Sequence, residues 1–302
     1  MTGFLFKLNG GGFRRERARV CDAVSRREAV FALAGLVLPI QAIAAQHQTA
    51  DKERALAELR KVTELQDKAF SLTNEMRYVD AEKIWTKIIE LNNTNAAAYS
   101  NRGNCRTSQG QFEAAVSDFE VAIKLAPDEP DPYLGKGVAL EGEKRFKEAL
   151  ECYETANAKS ISRYGAEDAV TYNNRGNAHA GLGEWDKAFE FYHKAAEMNK
   201  NYVFARANEA LALYQLGSYD KSTSMMRFLV RKYPGFADMH AALAAAYWTD
   251  GSIRASESEW ASAMQLDTRY GDINWIRDNR RWPPQLVTDI EQFLSLKFRR
   301  VS

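Results

Sequence analysis

Cysteine, histidine and proline are scarce in this sequence, and these scarcities exclude whole classes of protein. The 302 residues include three cysteines, four histidines and seven prolines. Three cysteines are too few for the disulfide framework of a small secreted domain, and seven prolines with 18 glycines do not make a collagen-like chain. With 45% apolar and 27% charged residues, most of the chain is expected to fold as an ordinary globular protein.

The sequence also lacks the spacings of a metal site or a catalytic motif. His47, His179, His193 and His240 share no ligand spacing with cysteines or carboxylates. The segment 137–144 is similar to a phosphate-binding loop only as far as Glu143, which separates Gly142 from the lysine that should follow it. We therefore predict no catalytic residue, no cofactor and no metal, and a protein that is not an enzyme.

Two cysteines, Cys105 and Cys152, follow the first 44 residues, and they fall in different segments of predicted helix. Because free cysteine is among the most often buried residues, we interpret both as buried free thiols, with a disulfide as the alternative. The sequence does not decide whether either thiol has a redox role.

Positive charge is concentrated at the start of the chain. Residues 1–44 contain seven basic and three acidic residues, whereas the remainder contains 34 basic and 37 acidic residues. A basic segment ending at Arg26 and Arg27, an apolar run over 29–38 and small residues around Ala44 follow the order of a cleavable export signal. The run is shorter than the roughly 20 residues of a membrane span, so we expect no stable membrane insertion.

The remainder of the chain is mildly acidic, and this charge disfavours binding to nucleic acid.

The pair Arg26 and Arg27 resembles a twin-arginine signal, although Glu28 and Ala29 precede the large apolar residues that such signals place sooner. An ordinary secretory signal is the alternative. We predict a targeting leader over residues 1–44 that is cleaved near Ala44.

The clearest pattern is an internal repeat. The hexapeptide Tyr99-Ser-Asn-Arg-Gly-Asn recurs as Tyr172-Asn-Asn-Arg-Gly-Asn, and a partial copy begins at Tyr133. A small residue then recurs at steps of 34, 34, 39, 34 and 34, at Ala81, Ala115, Ala149, Ala188, Ser222 and Ser256. The longer step reflects an insertion over 159–168, which we expect to form either a longer loop or an extended helix end.

This spacing resembles that of the tetratricopeptide repeat family, whose unit is a helix–turn–helix pair. The resemblance implies an all-α, right-handed superhelix, or solenoid, of about six repeats with a C-terminal capping helix. A helical lead-in over 45–61 would precede the solenoid over 62–270, and an elbow with the capping helix would follow over 271–302. The predicted units are 62–95, 96–129, 130–168, 169–202, 203–236 and 237–270.

Two sets of residues are expected to pack the paired helices together. Gly103, Gly137 and Gly176 lie in the middle of helices, where glycine costs about 1 kcal/mol relative to alanine, so a neighbouring helix must approach closely there. A stripe of large side chains recurs at one position of the second helix, at Trp85, Phe119, Tyr153, Tyr192, Met226 and Trp260. We interpret this stripe as core.

In the family that the chain resembles, the first helices of successive units line a concave groove. The positions of this sequence that match the groove are Ser100, Asn101, Asn104, Asn173, Asn174, Asn177, Phe204, Leu211, Tyr214 and Trp248. Paired amides offer donors and acceptors to a peptide backbone, and aromatics bind apolar side chains, so we predict that the groove binds an extended or helical segment of a protein partner. The alternative is that the asparagines satisfy neighbouring helix ends and the aromatics pack on the C-terminal cap.

Some family members bind the acidic C-terminus of heat-shock chaperones through a clamp of basic residues and asparagines. Asn101 matches one clamp asparagine, but Gln66, Phe70, Asp131 and Gly135 occupy the other slots. We therefore expect this chain to lack that clamp.

The resemblance and the leader together suggest a thylakoid-lumen member of the family, in a chloroplast, that acts as a scaffold in the assembly or maintenance of photosynthetic complexes. A bacterial periplasmic scaffold is the alternative address. A docking or regulatory subunit of an enzyme is the alternative function.

Overall fold

The computed structural model describes residues 38–280 and 282–299, and all regular elements in these ranges are helical. The chain divides into two compact units, residues 1–93 and 94–302. Unit 1 contains α1 (Leu38–Asn74) and α2 (Tyr78–Leu91). Unit 2 contains α3 (Ala96–Ser108), α4 (Phe112–Leu125), α5 (Pro130–Gly142), α6 (Phe146–Tyr164), α7 (Ala169–Gly181), α8 (Trp185–Met198), α9 (Val203–Gln215), α10 (Tyr219–Lys232), α11 (Ala237–Thr249), α12 (Ile253–Leu266), α13 (Ile273–Asn279) and α14 (Pro284–Arg299).

Helix α1 joins the predicted lead-in to the first helix of the first repeat without a break. It packs against α2, where Trp85 is buried and meets the ring of Phe70 edge-on at 5.1 Å between centroids. Of the residues predicted to direct targeting, Ala44 lies within α1, and Arg26 and Arg27 lie outside the described residues.

Helices α3 to α12 form five successive antiparallel pairs, as predicted for a repeat solenoid. In four of the five pairs, a glycine with positive φ follows the first helix, at Gly110, Gly183, Gly217 and Gly251. Glycine adopts this left-handed conformation without steric cost, and it ends the helix so that the chain can reverse. The third repeat has Lys144 at this position, with a φ of 61°.

Small residues allow the paired helices to approach, which confirms the packing predicted from the repeat. A Cβ atom placed on Gly103 would lie 2.9 Å from Cζ of Phe119, and one on Gly137 would lie 2.4 Å from Cε1 of Tyr153. The small residues Ala81, Ala115, Ala149, Ala188, Ser222 and Ser256 are all fully buried. The predicted stripe from Trp85 to Trp260 is buried as well, with at most 4% of any side chain exposed.

The last two repeats replace the glycine with alanine and add a hydrogen bond. The Ser222 hydroxyl donates to the carbonyl of Ala210 at 2.7 Å, and the Ser256 hydroxyl donates to that of Ala244 at 2.8 Å. Each bond ties the second helix of the pair to the first and satisfies a buried hydroxyl.

The insertion in the third repeat is an extended helix end. Helix α6 has 19 residues, whereas α4 and α8 have 14, and it ends at Gly165 with a φ of 70°. Lys159 and Arg163 in the added turn form ion pairs with Asp128 and Glu129, each at 2.8 Å. The extension therefore packs beside the connection between α4 and α5.

The C-terminal segment contains a 3₁₀ turn at Thr268–Gly271, then α13 and α14. The turn and α13 surround a buried cluster in which Tyr270 stacks on Trp282, and Arg280 lies over the ring of Tyr270 at 5.3 Å from its centroid. Helix α14 then packs across α9 and α11, the first helices of the fifth and sixth repeats. The predicted capping helix is present, and it covers first helices.

Candidate partner-binding face

The candidate site is the surface formed by the first helices of the repeats in unit 2. Equivalent positions on α3, α5, α7, α9 and α11 are occupied by Asn104, Val138, Asn177, Leu211 and Ala245. We call the surface centred on these five residues the inner face. Its chemistry changes along the chain, from amides in the second and fourth repeats to apolar residues in the fifth and sixth.

Helix α14 covers the inner face of the fifth and sixth repeats. Leu286, Ile290 and Phe293 recur at the spacing of one helix face, and each has at most 2% of its surface exposed. They belong to one core cluster with Leu211, which has 7% of its surface exposed, and with residues of α11. Burial of this apolar stripe holds α14 on α9 and α11.

Polar and aromatic contacts fix the position of α14. The Tyr214 hydroxyl donates a 2.7 Å hydrogen bond to the carboxylate of Asp289, and burial of the phenol raises the pKa of Tyr214. The Trp248 ring meets Phe293 edge-on at 5.6 Å. Three predicted groove residues, Leu211, Tyr214 and Trp248, thus contact this chain's own C-terminal helix, and this corrects their interpretation as open groove residues.

The start of α11 is closed by the elbow that leads to α14. The buried carboxylate of Asp238 accepts a hydrogen bond from the Tyr270 hydroxyl and lies 3.1 Å from Nε of Arg280. Burial raises the pKa of Asp238, and the guanidinium of Arg280 opposes this shift. The carboxylate of Asp238 is therefore not accessible to a partner at the inner face of the sixth repeat.

An amide cluster lies on the inner face of the fourth repeat. The Asn208 side chain on α9 donates to Oδ1 of Asn173 at 2.9 Å and to Oδ1 of Asn177 at 3.4 Å. Asn177 also accepts from the Tyr192 hydroxyl at 3.0 Å, and Asn173 donates to Oδ1 of Asn174 at 3.4 Å. These bonds tie the fourth repeat to the fifth, so part of the amide chemistry serves the fold.

The cluster keeps unused polar atoms. Within the described residues, no hydrogen bond is made by Nδ2 of Asn177 or by Oδ1 of Asn208, and Asn177 is half-buried. One donor and one acceptor are thus available close together. Asn173 and Asn174 are more deeply placed, with 4% and 9% of their surfaces exposed.

The second repeat presents Ser100, Asn101 and Asn104. Asn101 donates to the carbonyl of Ala97 one turn back in its own helix at 2.8 Å, and Ser100 is nearly buried. The Asn104 side chain is half-buried and makes no hydrogen bond to any described residue. Asn104 is therefore the predicted residue of this repeat with the most capacity for a partner.

Phe204 is the predicted aromatic that stays accessible. It lies at the start of α9 with 37% of its surface exposed, between Tyr202 and Phe236, whose rings meet it edge-on at 6.4 and 5.9 Å. This aromatic edge borders the amide cluster along α9, where Asn208 lies one turn after Phe204.

The histidines of unit 2 each pair with a glutamate. Nδ1 of His179 lies 2.7 Å from Glu184, and His193 and His240 make equivalent contacts at 2.7 and 2.6 Å with Glu209 and Glu259. In the described part of the chain, no three metal-ligating side chains form a cluster. These pairs connect neighbouring helices or turns.

Cys105 is buried and Cys152 is half-buried, and neither forms a disulfide with a described residue. Burial raises the pKa of Cys152. Half-burial differs from the full burial predicted for Cys152, because this residue faces an open cleft between α4, α5 and α6.

Sequence reasoning missed Asn208 and Asp289. Asn208 is in register with Asn101 and Asn174, so the repeat spacing contained the signal for it. Asp289 lies outside the repeats, and its contact with Tyr214 depends on how α14 folds back across 75 residues of sequence. No spacing rule within the repeats predicts that contact.

Comparisons with known proteins agree with the repeat spacing. Models of the tetratricopeptide repeat match residues 96–129, 169–202 and 207–270. The chain is 28% identical over 158 residues to human DnaJ homolog subfamily C member 7, a match that covers 48% of this chain and 32% of the relative. It is 34% identical over 95 residues to Hsp70-Hsp90 organizing protein 1 of Glycine max, covering 30% of this chain and 16% of the relative. The chain thus spans less than a third of these curated relatives.

Two solved structures share the fold at low sequence identity. PilF of Pseudomonas aeruginosa aligns with a TM-score of 0.57 at 15% identity and covers 79% of this chain and 99% of its own. The Cut9–Hcn1 structure of the APC/C aligns with a TM-score of 0.63 at 15% identity, over 73% of this chain and 42% of its own. None of the described helices is long and apolar enough to cross a membrane. The fold of the chain is therefore that of a tetratricopeptide repeat solenoid.

Proposed function

We propose that this chain is a non-enzymatic scaffold that binds a segment of a protein partner on the open part of the inner face. The open part comprises α3, α5, α7 and the start of α9, which α14 leaves uncovered. The observation that supports the proposal is the group of amides there, at Asn104, Asn177 and Asn208, with donors and acceptors that make no hydrogen bond to a described residue.

The partner segment is extended where it meets the amide cluster. A free N–H donor on Asn177 and a free carbonyl acceptor on Asn208 match the C=O and N–H of one exposed peptide group. A helical segment would already have paired its backbone groups internally. The exposed ring of Phe204 provides an apolar contact at the adjoining edge.

Co-purification from the native source tests this proposal. We expect the double variant N104A/N177A to lose partners that the wild-type chain captures, because it removes amides that contact the partner and leaves the Asn208–Asn173 bond in place. A matched control is N199A/N201A, which removes two exposed asparagines in the turn between α8 and α9. Circular dichroism and thermal unfolding would establish that both variants fold.

If N104A/N177A and the control variant both capture the same partners as the wild-type chain, the binding surface lies elsewhere. A photoreactive amino acid at position 104 gives an independent test. It should form crosslinks to a partner, whereas the same amino acid at position 201 should not.

We do not expect Hsp70 or Hsp90, the proteins that give the Glycine max relative its name, to bind this chain through the carboxylate clamp. Asp131 and Gly135 occupy positions where a carboxylate clamp requires other polar or basic groups, and burial of Asp131 raises the pKa of its carboxyl. A peptide that ends in the acidic chaperone C-terminus should therefore bind the inner face weakly. Calorimetry with such a peptide would test this, and tight binding lost in N101A would overturn it.

We propose the thylakoid lumen as the address, with assembly or maintenance of photosynthetic complexes as the process served. The support is the sequence of the leader, with Arg26 and Arg27 before an apolar run and small residues around Ala44. Transport into the lumen of isolated thylakoids should be lost in R26K/R27K and on collapse of the proton gradient. Insensitivity to both would favour an ordinary signal, and export by a bacterial host alone would favour the periplasmic alternative.

A further inference from the structure

The fifth repeat differs in charge from the rest of the solenoid. Residues 203–236 include five basic and two acidic residues, whereas the five other repeats each have as many acidic as basic residues or more. All five cations lie on α9 or α10, and none makes an ion pair with a carboxylate of the described residues: Arg206, Lys221, Arg227, Arg231 and Lys232. The positive charge is therefore not consumed within the repeat.

Arg206 occupies a position that holds tyrosine in the three preceding repeats. In the fourth repeat, Tyr172 packs against Phe191 at 5.9 Å between ring centroids, and Arg175 lies 4.4 Å from the centroid of Phe191. In the fifth repeat the corresponding pair is Arg206 and Met225. No ring pair fills the space between the helices, and a cleft opens there.

This cleft has a volume of about 270 Å³ and is lined by Arg206, Ser224, Met225, Phe228 and Leu229. A cavity of about 150 Å³ is large enough for benzene, so the cleft has room for one aromatic or branched side chain. Nε of Arg206 is buried at the cleft and has no hydrogen-bond partner in the described structure. A partner that enters the cleft can supply that acceptor.

Helix α10 continues the same chemistry outside the cleft. Lys221, Met225, Phe228 and Lys232 follow one another at three- and four-residue spacing and form a single stripe, and 46% of Phe228 is exposed. Arg231 lies about one turn after Phe228 and borders this stripe, and Arg227 lies further round the same exposed surface of α10. The stripe thus has an apolar centre with cations around it.

From this combination we infer that α9 and α10 of the fifth repeat form a second docking surface, which binds an acidic protein segment with one apolar side chain. The apolar side chain enters the cleft between Met225 and Phe228, and flanking carboxylates pair with Arg206, Arg227 and Arg231. This surface is separate from the amide residues of the inner face and does not depend on the function proposed for them. It allows two partners to be held at once.

The cleft favours a protein segment over an anionic membrane or a nucleic acid. Phosphate backbones and lipid headgroups are attracted by an extended basic surface, and here the excess charge is confined to one repeat with acidic residues in the next. A side-chain-sized cleft with a cation at its wall matches a single apolar residue among carboxylates.

Binding of the full chain to defined peptides tests the inference. The probes are labelled peptides with a central Phe, Leu or Ser, flanked on each side by three Glu, three Ser or three Lys. We expect Glu-flanked Phe or Leu peptides to bind about tenfold or more tightly than the Glu-flanked Ser peptide and the Ser-flanked peptides, and high salt should weaken them. R227E/R231E should abolish this binding, and F228S should remove the preference for Phe or Leu.

The matched control K147E/R254E makes the same change in net charge at exposed cations of other repeats and should retain binding. N104A/N177A should also retain it, which separates this surface from the inner face. The inference is overturned if Glu-flanked peptides bind no better than Ser-flanked ones, or if binding survives in R227E/R231E. It is equally overturned if R227E/R231E instead loses binding to phosphatidylglycerol vesicles or loses self-association while peptide binding is unchanged.

Discussion

The fourth and sixth repeats have the same helix-pair architecture, but the residues of their inner faces differ in chemistry. The fourth repeat presents Asn177, whose Nδ2 makes no hydrogen bond to a described residue, whereas the sixth presents Ala241 and Ala245, both fully buried. Small apolar side chains let a further helix approach closely, and α14 contacts this part of the face. The same scaffold position therefore serves either a partner or the chain's own C-terminus, according to side-chain size and polarity.

We expect the largest effect on this difference from truncation of a buried side chain that holds α14 on the inner face. Phe293 has 2% of its surface exposed and meets the rings of both Trp248 and Trp260, at 5.6 and 5.4 Å. We expect F293A to lower the free energy of unfolding by about 3–5 kcal/mol, the range for truncation of a buried phenylalanine. Urea denaturation followed by tryptophan fluorescence measures the loss.

The neighbouring exposed residue Gln292 provides the control, and Q292A should change the stability by less than about 0.5 kcal/mol. In F293A, Trp248 should also become more accessible to a fluorescence quencher. Equal stability of F293A and Q292A would mean that α14 does not hold the inner face of the last repeats.

The repeat spacing predicted most of the fold because each repeat satisfies the same local requirement. Gly103 and Phe119 are complementary within one helix pair, so a single unit contains both halves of the contact. The position of α14 required information from outside the repeats. Its apolar spacing predicted a helix that covers something, but its contact with Tyr214 forms over 75 residues and depends on the path of the elbow.

The candidate site was predictable in part for the same reason. The register that identified Asn177 holds in every repeat of unit 2, and it also gives Leu211 and Ala245. Whether a residue at that position is open depends on what lies above it, and this is not determined by its own repeat. The cleft at Arg206 could not be predicted from that position alone, because a cleft also lies beside Tyr133 at the equivalent position of the third repeat.

A second prediction concerns the polar contact that holds α14 on α9. Y214F removes the hydroxyl that donates to the carboxylate of Asp289. Asp289 is buried, with 5% of its surface exposed. Hydrogen bonds to charged groups contribute about 1.5–3 kcal/mol, so we expect a loss of stability of that order in urea denaturation. Y219F alters an exposed tyrosine whose ring touches Tyr214 and should change little. Equal effects of the two variants would contradict a specific role for the Asp289 contact.

A third prediction sharpens the comparison between glycine and alanine repeats. G103A places a methyl group against Phe119, and the cost of overpacking exceeds the gain in helix propensity, leaving a net loss of about 1 kcal/mol. In a background of F119L the same substitution should be neutral or stabilising, because the ring is gone. A244G in the sixth repeat should cost about 1–2 kcal/mol, because it loses helix propensity and also removes a methyl group that is fully buried. If the effect of G103A were unchanged by F119L, close helix packing would not be the reason for the glycine.

The smallest expected effect is the pH dependence of the elbow that leads to α14. Arg269 hydrogen-bonds to Asp267 and lowers the pKa of that carboxyl below its ordinary value of 3.8. A carboxyl with a lowered pKa stabilises the fold above its ordinary pKa, and this contribution is lost as the pH falls through the folded-state value. D267N keeps a capping side chain but removes the charge. Near neutral pH, the free energy of unfolding of the wild type should therefore exceed that of D267N. The difference should be less than about 1 kcal/mol because the ion pair is partly exposed to solvent. Thermal unfolding of both proteins should show this difference shrinking below pH 3.8, the ordinary pKa. A difference that stays constant with pH would assign the effect to packing rather than to the ion pair.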